Sequence, residues 1–290
     1  MGETDFRGEG VVILAWSFTA LSTLFTFGRF YIHFLKKKRF IWDDVFNGLA
    51  LLCLVTFCSI YQHYGPQKYN HQLNKEVLPK KPKYSEKQFT AENNAAIILF
   101  WCVIYSTKAS FLALYWMLFE VSRRFRIAWW VIAVYTALSF VATVLWSPIL
   151  VCAERTWAQP CHKKCLVDMQ VGWAALDIFG DILLMVLPLV MLQPLRMRLT
   201  QKIGLGIVFG LVIVNMVLEI IRALLVIVVD LHRFQGVGDI CFIMQATLAV
   251  ITCALPCYRS LLIRDKKKIS DWSLPDIVIG SAVEKDQISV

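Results

Sequence analysis

The stretch LDIFGDILLMVLPL, Leu176 to Leu189, is apolar along its whole length except for Asp177 and Asp181. The run belongs to a longer apolar segment, 171–192, which has the length a helix needs to cross about 30 Å of hydrocarbon. Four residues apart, the two acids share one helical face. A carboxylate near the bilayer centre costs roughly 3 kcal/mol when it has no partner. The segment therefore reads as one span of a bundle whose other helices must answer two buried acids.

The rest of the chain supplies that bundle. Of its 290 residues, 58% are hydrophobic and only 18% charged, and mean hydropathy is +0.58. Soluble domains carry about 45–50% apolar and about 25% charged residues, so the surplus apolar surface is expected to face lipid. Seven segments are long enough to span, at 11–34, 43–64, 94–119, 127–152, 171–192, 203–227 and 238–260. The predicted fold class is an all-α membrane protein, a bundle of seven transmembrane helices. Its domains are a short N-terminus (1–10), the membrane domain (11–262) and a tail (263–290). The first apolar run is too long for a cleaved leader and reads as an anchor. Phe6 stands where a myristoylation signal needs Ser or Thr.

The net charge of +9 does not indicate nucleic acid, because the basic residues lie in short clusters between apolar runs. Lys36, Lys37, Lys38 and Arg39 follow the first span, Arg123, Arg124 and Arg126 the third, and Arg196, Arg198 and Lys202 the fifth, while RDKKK opens the tail. With seven spans all four clusters fall on one side, and basic loops mark the cytoplasmic face. This places the N-terminus outside and the C-terminus inside, in a plasma membrane or endomembrane. The segment 65–93 has six lysines spread over 29 residues and reads as an outer lid or connector. Pro188 and Pro194 are expected to help end the fifth span, and Pro256 lies near the end of the seventh. Eight tryptophans, among them Trp16, Trp42, Trp101, Trp129, Trp130, Trp146, Trp157 and Trp173, read as an interfacial belt.

Of nine cysteines, Cys53, Cys58, Cys102, Cys241, Cys253 and Cys257 fall inside predicted helices and read as small apolar packing residues. Cys257 lies near the inner interface, where acylation is conceivable. Cys152, Cys161 and Cys165 flank or lie in the outward loop, an oxidising side. Cys152 with Cys165 or with Cys161 is expected to form a disulfide there, leaving the third cysteine free or paired elsewhere. In CHKKC a single His lies between two Cys, too few ligands for zinc, so no metal is expected.

Intramembrane ionisable residues carry the functional signal. Lys108 and Asp181 are at matching depths and are expected to pair. Asn215, Glu219 and Arg222 share a face of the sixth helix, with Glu219 and Arg222 an i,i+3 pair. Asp177 is then the acid left without a cation. Arg29 and His33 lie one turn apart near the inner interface, where Arg29 is expected to snorkel to the headgroups. Lys108, Asp177, Asp181, Asn215, Glu219 and Arg222 are the candidates for a polar cavity that opens outward.

RFYIHFLKKKRFIWDD, YSTKASFLALYWMLFE, CAERTWAQPCHKKC, ALDIFGDILLMVLPL, KIGLGIVFGLVIVNMVLEIIR and LPCYRSLL, in that order, resemble the fungal rhodopsin-domain family of integral membrane proteins. The resemblance runs from about 25 to 264. It places Arg29, Asp43, Asp44, Ser110, Trp157, Pro188 and Pro256 in family motifs, with Trp116 and Asp239 as departures. It implies a receptor-like protein or one that accompanies secondary-metabolite biosynthesis. The seventh span has no lysine to hold retinal as a Schiff base, and no cofactor is expected.

Two functions compete. One is a receptor-like protein whose small organic ligand meets Lys108, Asp177 and Asp181, with basic inner loops facing a cytoplasmic protein partner or lipid. The other is a cofactor-free membrane-embedded enzyme or helper, a cyclase or isomerase in mycotoxin or other secondary-metabolite biosynthesis, using Asp177 or Glu219 as a general acid. Transport ranks behind both, since no internal repeat is visible.

Overall fold

The computed structural model describes residues 3–37, 42–77, 86–119, 123–146, 163–192, 199–228 and 235–272. They form seven helices: α1 (Glu3–Lys37), α2 (Trp42–Val77), α3 (Glu86–Phe119), α4 (Arg123–Leu145), α5 (Lys163–Leu192), α6 (Leu199–Val228) and α7 (Gln235–Trp272). Each holds one stretch long and apolar enough to cross a membrane, from Gly10–Phe34 in α1 to Gly238–Tyr258 in α7. Only helices satisfy every backbone group within a single spanning segment short of a closed barrel, and among the described residues there are no strands. The chain is an integral, multi-pass membrane protein.

Consecutive helices pack side by side, and α7 closes the ring against α1. α3 touches α2, α4, α5 and α7, so it stands at the middle of the bundle. The spans of α3 and α7 are 61% and 67% buried, against 22% for those of α4 and α6. Any central site must therefore be built on α3 and α7. Exposed apolar side chains such as Ile13, Leu24, Phe27, Ile127, Val131, Leu138 and Val190 coat the outside. A patch of this extent is expected against lipid tails.

Helix boundaries differ from the sequence reading where polar residues continue a helix beyond the membrane. Residues 65–93, read as a lid or connector, are mostly helix, because α2 runs through Gly65 to Val77 and α3 starts at Glu86. The predicted N-terminal segment is helical from Glu3, and part of the predicted tail extends α7 to Trp272. Pro188 and Pro256 lie inside α5 and α7 and end neither. α4 ends at Leu145, seven residues before the expected limit of 152.

The aromatic belt is also only part of the picture. Trp42, Trp130 and Trp146 are exposed, but Trp101 and Trp173 are buried in the core. Of the six cysteines predicted as packing residues, Cys58, Cys241, Cys253 and Cys257 are buried and Cys53 and Cys102 half-buried. Cys152, Cys161 and Trp157 lie outside the described residues, as does the side chain of Cys165.

One close approach fixes how α1 meets α7. Tyr258 donates its hydroxyl to the Phe25 carbonyl at 2.8 Å, and a Cβ added at Gly28 would lie 2.0 Å from that hydroxyl oxygen. Gly28→Val must push the tyrosine ring out and break its bond. The expected loss is about 1–3 kcal/mol, seen as a lower melting temperature of the detergent-solubilised protein. Gly206→Ala, where nothing lies within 4 Å of the added Cβ, should melt no lower than wild type.

Candidate functional site

α3 brings Lys108 against the face of α5 that carries the two acids. Its Nζ lies 2.7 Å from Asp177 Oδ1 and 3.0 Å from Asp181 Oδ1, and it donates to the Asp177 carbonyl at 2.8 Å. The expected Lys108–Asp181 pair is present. Asp177 is not the acid left over, since the lysine is shared between both. Gly180 makes this possible, for a Cβ there would come within 3.0 Å of Nζ. The Tyr135 hydroxyl of α4 donates to the Leu176 carbonyl at 2.9 Å and holds the same turn of α5 from its other side. Buried charges are stable only when paired and hydrogen-bonded, and here one cation faces two carboxylates.

A second pair lies beside the first. On α6 Arg222 Nη2 is 2.5 Å from both oxygens of Glu219, as the i,i+3 spacing predicts. The guanidinium carbon sits 4.1 Å from the ring centre of Phe242, 5.0 Å from Phe100 and 5.6 Å from Trp101. Its Nε and Nη1 have no acceptor among the described residues, so three ring faces take the place of oxygen partners. Gln245 of α7 joins the two pairs: its amide nitrogen donates to Asp177 Oδ2 at 3.4 Å, and its side chain bonds Glu219. Sequence reading missed Gln245, although it is the one amide in the apolar run CFIMQATLAV.

Next to this cluster is a cavity of about 40 Å³. Lys108, Asp177, Asp181, Asn215, Gln245 and Thr252 form its polar wall, and Phe111, Tyr115, Leu184 and Val208 its apolar one. Two acceptors on the polar wall, Asn215 Oδ1 and Gln245 Oε1, have no hydrogen-bond partner among the described residues. Half-buried Met185, Phe209 and Val212 separate the cavity from the lipid-facing surface between α5 and α6. Of the predicted cavity residues, Lys108, Asp177, Asp181 and Asn215 line it, while Glu219 and Arg222 stand behind it.

The cavity extends from the level of Ile104 and Asp177 to that of Tyr115 and Leu184, and on α6 its lining lies N-terminal to Asn215. Tyr115, Leu184 and the α6 lining lie toward the end of the bundle that carries the basic clusters. The opposite end is closed by Phe100, Trp101, Tyr105, Trp173 and Phe242, whose rings meet at 4.6–6.1 Å.

Arg29 does not snorkel. It is 0% exposed, and its Nε donates to Asp44 at 3.1 Å, its Nη1 to the Cys253 carbonyl at 2.5 Å and its Nη2 to Asp43. Ser110 of α3 donates to the Asp43 carbonyl at 2.9 Å and to its carboxylate. The motif residues Arg29, Asp43, Asp44 and Ser110 thus tie α1, α2, α3 and α7 together near the basic end. The charged pair after the first loop is spent on structure, which the Asp-Asp spacing alone did not reveal.

A family model described as the fungal rhodopsin domain matches residues 28–264, a range that takes in both polar clusters. No curated protein matches the chain, and no solved structure does. The family's title suggests retinal, but these residues do not fit it. The spanning part of α7 has no lysine, the intramembrane Lys108 is held by two carboxylates, and 40 Å³ is too little for a polyene. Among the described residues no group of His, Cys, Asp and Glu is placed to hold a metal.

Lys108→Met should destabilise the protein by about 3–5 kcal/mol, because it strands two buried carboxylates. Adding Asp177→Asn and Asp181→Asn should restore most of that loss. Unfolding of the purified protein in mixed micelles with increasing denaturing detergent checks both outcomes.

Proposed function

The chain belongs to the fungal rhodopsin domain family, and we propose that it is a receptor-like membrane protein whose cavity takes the amine end of a small organic ligand. The observation that carries this reading is the imbalance on the cavity wall. One lysine serves Asp177 and Asp181, and the unpartnered atoms beside it, Asn215 Oδ1 and Gln245 Oε1, are both acceptors. A buried acceptor left without a donor costs about 1–3 kcal/mol. An ammonium supplies three donors and the missing positive charge together.

Size narrows the ligand further. An engineered cavity of roughly 150 Å³ takes benzene, and a site of 40 Å³ holds about three waters. A cavity of this size accommodates a head group and not a whole organic molecule. The remainder of the ligand lies between α5 and α6, where Met185, Phe209 and Val212 form the wall. Such a ligand is an apolar amine that enters from lipid and parts these two helices. Movement of α5 and α6 would be felt at Arg123, Arg124 and Arg126, which begin the helix packed on α5, and at Arg196 and Arg198 between α5 and α6, which face a cytoplasmic protein partner in the orientation that the loop charges favour.

A second reading has its own observation. Asp181 is the more exposed of the two acids, with its side chain at 15% against 4%, and it shares its lysine. That is the arrangement of an acid–base pair in a water-poor cavity, suited to isomerising or cyclising an apolar intermediate of secondary metabolism without a cofactor. Conversion of such an intermediate by membranes holding only this protein, lost in Asp181→Asn, would favour it over sensing.

Melting curves of the protein in lipid nanodiscs test the receptor reading. Long-chain primary amines should raise the midpoint, with stabilisation of about 2.7 kcal/mol at a hundred times Kd. Chain-matched carboxylates should not. Asp181→Asn should remove the amine effect while the protein still melts cooperatively, since Lys108 keeps Asp177. A response to carboxylates in place of amines would refute the assignment.

A further inference from the structure

Near the basic end of the bundle, outside the cavity, three side chains form a relay that the ligand site does not use. His33 Nδ1 lies 2.7 Å from Asp44 Oδ2, and His33 Nε2 lies 2.9 Å from Cys257 Sγ. A thiol, an imidazole and a carboxylate in line are the parts of an activated nucleophile: a base in reach of the thiol, and an acid that orients the base. Asp44 accepts from Nδ1–H, which leaves the Nε2 lone pair facing the thiol. The Asp44 carboxylate is itself fixed by Arg29 at 3.1 Å. Among the described residues Cys58 has no such neighbours, and its sulfur meets the Thr19 hydroxyl at 3.1 Å.

Position within the chain indicates a substrate. His33 and Cys257 each lie within two residues of the end of their spans, Gly10–Phe34 and Gly238–Tyr258. Lys36 and Lys37 continue α1, and Arg264, Lys266, Lys267 and Lys268 continue α7. The nucleophile thus lies at the hydrocarbon edge, and beyond it two helices carry cations. A long-chain acyl-coenzyme A has the matching parts in the same order: an apolar tail, a thioester and a polyanionic nucleotide head. Anionic groups are drawn to clustered Lys and Arg at a membrane surface. Cys257 is 5% exposed and the His33 side chain 16%, so the imidazole is the member nearer the surface.

We propose that Cys257, His33 and Asp44 form an acyl-transfer site at which the chain acylates its own Cys257 from long-chain acyl-coenzyme A. His33 Nε2 takes the thiol proton, and the Cys257 sulfur attacks the thioester carbonyl carbon. The carbon–sulfur bond to coenzyme A breaks as the new one forms. The departing thiolate recovers the proton from His33, leaving S-acyl Cys257 and free coenzyme A. One thioester replaces another, and nothing is oxidised or reduced.

The test uses the purified full chain in nanodiscs with alkyne-tagged palmitoyl-coenzyme A and no other protein. Peptide mapping should find a hydroxylamine-labile acyl group on Cys257, with one coenzyme A released per chain, and Cys257→Ala should show none there. His33→Gln should slow labelling about 100-fold or more, the usual contribution of a general base, while melting curves report whether it remains folded. A merely structural histidine would change the melting midpoint and leave the labelling rate alone. Replacing Lys266, Lys267 and Lys268 together by Glu should raise the half-saturating concentration of palmitoyl-coenzyme A several-fold. It should not alter labelling by the uncharged palmitoyl thioester of N-acetylcysteamine. Absence of label on Cys257 in the wild type, labelling spread equally over Cys53 and Cys102, or a His33→Gln rate equal to wild type would each overturn the proposal.

Discussion

One amine shared by two carboxylates, far from water, is the interaction on which the centre of this bundle depends. In a low-dielectric interior a charge without a partner is far more costly than in water. Lys108 therefore binds α3 to α5 at two successive turns, and the helices around them have to accommodate the arrangement. Gly180 leaves room for the amine, Tyr135 secures the turn from α4, and Gln245 extends the polar contact to Glu219 and so to α6. A structural demand and a binding surface arise together, because two acids cannot be fully balanced by one lysine.

The sequence revealed what depends on length and periodicity. Seven apolar runs of sufficient length predict seven spans, and a spacing of three predicts the Glu219–Arg222 pair within one helix. Contacts between helices were less legible. Depth along the membrane paired Lys108 with Asp181, but depth cannot show that Asp177 rotates to the same amine. Arg29 was read as reaching for headgroups because it lies near a span end, yet a long side chain there turns inward equally well when Asp43 and Asp44 begin the next helix. Buried Trp101 and Trp173 were assigned to the interface for the same reason. Boundaries failed where lysine-rich sequence continued a helix, since polarity marks the limit of the membrane and not the limit of the helix.

The two polar clusters divide the bundle between them. The central one, on α3, α5, α6 and α7, faces a cavity and has acceptors to spare. The other, on α1, α2, α3 and α7, is dense with donors and acceptors that satisfy one another, with His33 and Cys257 at its edge. Both use α3 and α7, the most buried spans, so a displacement at one cluster is carried to the other by the same two helices. On α3 the two clusters are two residues apart, at Lys108 and Ser110, and on α7 about two to three turns separate Gln245 from Cys253 and Cys257.

The aromatic collar around Arg222 has an electrical consequence. Phe100, Trp101 and Phe242 enclose a guanidinium whose charge Glu219 balances, so the rings at that end of the bundle surround a neutral pair and not a net charge. Opposite charges 2.5 Å apart add only a short-ranged dipole to the field along the bundle axis.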